Sequence, residues 1–385
     1  MIEPLSTPTA AAPRPAPPQA PAAPASTSTD QVTLAGKTES LGLMPKGLAA
    51  PAPTTAVGET VDHYLTPSEI LKRCQDLAKK YPDRVELVMR DYKTSGYDGK
   101  NQDLQGPAPL YYLRLGPKTD DRDKKVGVFE FASPHAREWI NPMIMMELAE
   151  QLAGNYDPKS TDPKVMADTQ LLQKLDIFIA PETNPDGTNF SMNDDPDWRK
   201  NLAPDANGDK GVDVNRNYPL WWEPNNDTSA ETYPGPKPLS APEARSTADV
   251  VEEHPNIRFV CDWHSYSEEV RRPWGVSDQD LPVYETLHQR MVDAIAKNRG
   301  SEYKATISTV ANGTSDDYFY HHNKVFSMLV EDGKAFHPDV SEGLKVKEDC
   351  VPAAREILTY AAEYEQKNGL ASAHPPAVLP DPPAT

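Results

Sequence analysis

The sequence is poor in cysteine: among 385 residues there are 3, Cys74, Cys261 and Cys350. Three thiols cannot all pair and their spacing fits no zinc knuckle, so a disulfide scaffold is excluded. Cys261, inside the apolar run FVCDW, reads as a small buried hydrophobe. No segment approaches the roughly 20 consecutive apolar residues that span a bilayer. The opening residues MIEPLSTPTAAAPRP lack the basic and apolar regions of a secretion signal. A cytoplasmic location is therefore the default expectation, with leaderless delivery as the alternative. Basic residues are also scarce, 39 against 58 acidic, for a net charge of −19. Affinity for a phosphate backbone comes from clustered Lys and Arg, so this balance counts against a nucleic-acid partner. Aromatic residues make up 8% and the hydrophobic class 38%, both low for a compact chain of this length.

What the sequence has in excess is proline, 40 residues, many of them packed into the two ends. Segments rich in Pro, Ala, Ser and Thr bury too little apolar surface to offset their ordering entropy. Residues 1–58 and 371–385 are thus expected to be disordered tails, serving as spacers. Between them, residues 59–370 have the composition of one globular domain without internal repeats.

Within that domain helical and strand patterns alternate. Asp62 to Lys80 reads as a helix, as do Leu287 to Asn298 and Ala353 to Lys367. Another follows His135, with Asn141 expected as its cap, Pro142 in its first turn, and Ile140, Ile144, Leu148 and Leu152 on one side. LYYLRLG, VGVFEFA, LDIFIAP, NIRFVCDW and VFSMLVE read as strands. This is an α/β pattern, with a mostly buried, mixed sheet flanked by helices.

Polar residues gather where those strands end. VGVFEFASP runs into His135, Arg137 and Glu138; NIRFVCDW into His264; VFSMLV into Glu331; LDIFIAP into Glu182 and then Asn184 to Gly187. Carboxyl ends of strands are where open α/β sheets bind ligands. The HxxE spacing of His135 and Glu138 lets one imidazole and one carboxylate reach an ion from a single turn. Two His and one Glu with an open position make a catalytic zinc set. Glu331 ends a very apolar strand, where a carboxylate needs a partner or a task, such as taking a proton from a metal-bound water. Arg137, Arg199 and Arg216 suit bidentate capture of a carboxylate. Asp205 to Asp209 looks like part of a calcium loop but lacks the closing bidentate Glu, and reads as a turn.

Six motifs carry a family resemblance: SPHAREW from Ser133, NPDG from Asn184, WRK from Trp198, GVDVNRN from Gly211, ETYPG with LSAPE from Glu231, and HSYS from His264. In this order they resemble zinc carboxypeptidases of the carboxypeptidase A/B type (peptidase family M14), from about Glu59 to Leu370. The resemblance implies an eight-stranded sheet, one Zn2+ per chain, a monomer, and peptide or protein C-termini as substrates. His135, Glu138 and His264 would hold the zinc, with Asp213 orienting His135. Glu331 would be the general base and Arg199 would stabilise the oxyanion. Asn215 and Arg216 would grip the terminal carboxylate, with Arg137 and Tyr266 lining the approach and a cis Ser265–Tyr266 bond.

Departures from the family carry as much information. Its mobile capping tyrosine falls, by a gap-free count from Glu331, on Thr309, leaving Tyr303 or Tyr320 as substitutes only through a gap. The Pro-rich head is not the family's folded pro-domain. The same count puts Asp316 at the floor of the side-chain pocket, with Ser315 and Asp317 one residue away. Arg271 falls in a segment lining that pocket. Asp316 implies a lean to basic or polar C-terminal residues; Asp316 with Arg271 suits a zwitterionic side chain such as that of diaminopimelate in peptidoglycan stem peptides. A catalytically silent peptide-binding module is the third reading.

Overall fold

The structure, a computed structural model, describes residues 61–97, 104, 106–204, 211–309 and 312–382. The N-terminal tail expected over 1–58 and the calcium-like turn at 205–209 lie outside the described residues.

Eight strands form one mixed sheet: β1 (Val85–Lys93), β2 (Pro109–Leu115), β3 (Gly127–Ala132), β4 (Asp176–Ala180), β5 (Ile257–Ser265), β6 (Glu269–Arg272), β7 (Lys304–Ile307) and β8 (Phe326–Asp332). Their order is β1-β2-β4-β3-β5-β8-β6-β7. The centre, β4, β3, β5 and β8, is parallel, so four carboxyl ends open on one edge. These are the strands whose apolar runs stand out in the sequence, because strands covered on both faces need not alternate.

The helices are α1 (Pro67–Lys80), α2 (Asn141–Gly154), α3 (Pro163–Lys174), α4 (Pro185–Asn193), α5 (Pro242–Glu253), α6 (Leu281–Arg299), α7 (Ser315–His321) and α8 (Val340–Asn368). Alternation along the central strands divides the core in two. Phe259, Cys261 and Trp263 of β5 pack with apolar residues of α1, α2, α6 and α8. Val260 faces the other way, with Phe129 and Phe131 of β3, Ala244 and Ala248 of α5, and Phe319 of α7. Asp262 and His264 share the parity of Val260, which sends them to the α5–α7 side.

Two local expectations are corrected. Asn141 is the first residue of α2, not its cap. Its amide instead donates to Trp263 O at 2.8 Å, fastening the helix to the strand end that bears His264. The stretch after Leu370 is not free of the body: Ala373 is 3% exposed and its N–H bonds Lys324 O at 3.0 Å.

Candidate active site

The site is built on the turn after β3. Ser133 adopts φ 59°, a left-handed conformation unusual for serine, which swings the chain back over the sheet edge. His135 and Glu138 follow on one turn, and His264 reaches them from the end of β5. The three donors are buried, and their ligand atoms lie within 4.8 Å of one another. His135 Nδ1 is 2.8 Å from Glu138 Oε1, and His264 Nδ1 is 3.0 Å from His135 Nδ1 and 3.1 Å from Glu138 Oε2.

Each imidazole is backed by a carboxylate on its other nitrogen. His135 Nε2 lies 3.1 Å from Asp213 Oδ1, as the resemblance implied. His264 Nε2 lies 3.0 Å from Asp262 Oδ2, a partner the sequence reading missed. The signal was present in CDWH: in a strand, residues two apart share a face. Such backing fixes the tautomer that presents Nδ1 to a metal. Burial alone would raise the Asp213 carboxyl, but Arg199, His135 and Arg216 outweigh it and hold it well below the usual carboxylate range. At His264 burial favours the neutral ring, while Asp262 and Glu138 raise its pKa well above the ordinary value. Two imidazoles and one carboxylate, converging and individually oriented from behind, are a donor set that fits zinc with one position left open.

Glu331 pairs in register with His264 across β5 and β8, which places it beside these donors. Burial pushes its carboxyl up, with Glu138 adding and His264 and Arg271 opposing. All of them line a cleft of about 350 Å3, together with Arg199, Asn215, Arg216, Tyr266, Arg271, Thr309 and Asp316.

Arg199 is fixed by Asp213, its Nε donating to Oδ2 at 3.0 Å. Asn215 Oδ1 accepts from Ser315 N at 2.8 Å, and its Nδ2, 3.2 Å from His264 Nε2, is an amide donor on the cleft wall. Gly313, at φ +70°, sits under Arg216: a Cβ there would be 2.3 Å from Arg216 O, so only glycine lets the two loops approach. Asp316, at the start of α7, is 1% exposed. Its Oδ2 accepts from the Ser308 hydroxyl, while Oδ1 has no hydrogen-bond partner among the described residues. Ser315 and Asp317 turn elsewhere, to Asp262 and Trp274 N respectively. Arg271 does not meet Asp316; it donates to Glu269 at 2.8 Å and to Glu331 at 3.1 Å.

Arg137 is not in the cleft wall. Its guanidinium lies 4.0 Å from the Phe336 ring at the rim and pairs with Glu231 at 3.3 Å. Phe336, which no sequence pattern singled out, also packs 4.8 Å from Tyr266, and the Ser265–Tyr266 bond is cis. Neither candidate capping tyrosine reaches the cleft. Tyr303 is buried against Cys350 and Gly333, and Tyr320 against Asp280 and Ser277. Thr309 occupies that part of the lining.

Comparison with known proteins agrees with this geometry. Residues 70–364 match the family model described as zinc carboxypeptidase. The chain is 31% identical to a metallocarboxypeptidase A-like protein of Trichophyton verrucosum over 64% of its length and 57% of the relative's. To rat carboxypeptidase A2 it is 31% identical over 67% and 59%, and to carboxypeptidase B of Astacus astacus 30% over 65% and 79%. The aligned segment thus spans less than two thirds of the first two relatives. Among solved structures, thrombin activatable fibrinolysis inhibitor superposes with TM-score 0.68 at 24% identity, covering 78% of this chain and 75% of that one. Carboxypeptidase A of Helicoverpa armigera gives 0.66 at 22%, covering 79% and 75%. With its eight-stranded sheet, its buried His-Glu-His set and a match over most of its length, the chain belongs to the zinc carboxypeptidase family.

Proposed function

We propose that this protein is a zinc-dependent carboxypeptidase that releases the C-terminal residue of peptides, with a preference for basic side chains. One observation carries the reading: a carboxylate, Glu331, stands beside the zinc donors in a cleft also lined by Arg199, Arg216 and Asp316, whose Oδ1 has no hydrogen-bond partner among the described residues. His135, Glu138 and His264 would hold the zinc, which would supply Lewis-acid polarisation. Glu331 would take a proton from the attacking water and return it to the departing amine. Arg199, held by Asp213, stabilises negative charge developing on the scissile carbonyl. Arg216 and the side-chain amide of Asn215 hold the substrate's terminal carboxylate, which limits cleavage to the last residue. Tyr266 and Phe336 flank the incoming chain.

Asp316 Oδ1 offers a buried, unsatisfied acceptor, costly until a donor arrives, and a lysine or arginine side chain brings one. The zwitterion reading, which covers peptidoglycan stem peptides, has less support because Arg271 is engaged by Glu331 and Glu269. A silent binding module has least, since Glu331, Arg199 and the donor set His135, Glu138 and His264 line one cleft.

The test is release of C-terminal residues from peptides ending in Lys, Arg, Leu or Glu, by wild type and Asp316→Asn. Chelator-sensitive release, fastest for Lys and Arg and levelled by the substitution, supports the reading. A ranking that the substitution leaves unchanged removes Asp316 from the recognition of the side chain.

A further inference from the structure

Residues 371–382 follow α8 and lie beyond the family match, which ends at residue 364. They form no helix or strand, yet they touch one stretch of the body, residues 274–280, at three points. Trp274 Nε1 donates to Asp381 O at 2.9 Å. Pro380 covers Gly275: a Cβ at that glycine would be 2.3 Å from the proline Cγ. His374 N donates to Asp280 Oδ2 at 2.6 Å. Ala373, 3% exposed, anchors the near end through Lys324 O.

The same stretch holds α7 from its other side. Trp274 N donates to Asp317 Oδ1 at 2.7 Å, and His321 Nε2 lies 2.8 Å from Trp274 O. Tyr320 OH donates to Asp280 Oδ2 at 2.9 Å and accepts from Ser277 N at 3.0 Å. Asp280 therefore joins the terminal segment and α7: Oδ2 accepts from both, and Oδ1 lies 3.3 Å from His374 Nδ1. Helix α7 has only 7 residues, too short to hold itself by its own hydrogen bonds, and it carries Asp316 into the cleft.

We propose that residues 371–382 act as a strap that positions α7, and hence Asp316, through Trp274 and Asp280. Trp274 and Asp280 are positioning residues: neither lines the cleft. The strap acts on recognition of the substrate side chain and leaves the zinc donors and Glu331 untouched, because these sit on the turn after β3, on β5 and on β8. The outer part of the strap is open to solvent, Val378 82% and Leu379 50% exposed, so its grip rests on a few contacts that a protease or a partner can release.

The inference rests on the carboxypeptidase reading for its kinetic consequence, but not for its structural one, and two full-length variants test both. Trp274→Phe deletes the indole N–H, and Ala373→Glu forces a charged side chain into the strap's buried seat. Amide hydrogen exchange over 315–321 should quicken in both, by roughly three- to tenfold for one or two lost hydrogen bonds, while 127–132 stays unchanged. On C-terminal Lys against Leu peptides, the ratio of kcat/KM should fall by a similar factor through KM for the Lys peptide. Zinc content and turnover of the Leu peptide should hold. Unchanged exchange in α7 overturns the proposal, and so does an equal loss on both peptides. If the intact chain cleaves neither peptide, the catalytic reading fails while the exchange measurement still decides the strap.

Discussion

At the scale of single residues the site is a set of paired demands. Each metal-facing imidazole needs its far nitrogen satisfied, and Asp213 and Asp262 do this at 3.1 and 3.0 Å. Asp262→Asn is accordingly expected to weaken zinc binding roughly 10–100-fold, as is Asp213→Asn, in competition with a chromophoric chelator. Zinc uptake should also release protons. Imidazole and carboxylate bind a metal in their deprotonated forms, and Asp262 and Glu138 favour the protonated ring of His264 without metal, so affinity should rise with pH. Titration calorimetry in two buffers of different ionisation enthalpy measures that release; no buffer dependence would contradict it. The ligands and Glu331 were legible because HxxE, HSYS and a lone acid after an apolar strand are local patterns. Asp262, Phe336 and the pairing of Arg271 with Glu331 were not, because they arise from strand register and from loops far apart in sequence.

At the scale of elements, the buried parallel strands announce themselves as continuous apolar runs, whereas β1, β6 and β7 do not. The short edge pair β6 and β7 has 4 residues in each strand, too little pattern to read. Helix α8 begins at Val340, though Pro352 makes the sequence read as a helix starting at Ala353. Helices α3, α4, α5 and α7 went unread, α4 and α7 because short segments show little periodicity. Helix α1 shows how local chemistry fixes a boundary. Thr66 and Glu69 form a reciprocal cap, Thr66 N donating to Glu69 Oε2 at 2.9 Å, and the helix starts at Pro67, inside the segment read as helical from Asp62. Thr66→Ala should lower stability by about 1 kcal/mol in urea unfolding without altering zinc content.

At the scale of the whole molecule, a strongly acidic chain has several carboxyl groups buried among apolar side chains. Burial pushes Glu130 and Glu182 up from 4.5 to about 8 and Glu243 to about 7. These folded-state values lie above the unfolded ones, so the stability they contribute is complete below about pH 4.5 and is lost as pH rises through the folded values. Glu182→Gln should therefore lose less stability than wild type between pH 5 and 8 in parallel urea unfolding curves. The overall assembly, two helical layers on a mixed sheet with the candidate site on the edge of its parallel centre, was readable from alternating patterns; the strap after α8 was not, because its proline-rich composition is that of a solvated tail. The central claim is that His135, Glu138 and His264 hold a zinc whose water Glu331 activates, and the most direct measurement compares wild type with Glu331→Gln, both with zinc content determined, on a peptide ending in lysine. The account expects one zinc in each protein, chelator-sensitive release by wild type, and a loss in the variant of roughly 10²–10⁴ in kcat. Equal turnover by the two proteins at equal zinc content would contradict it.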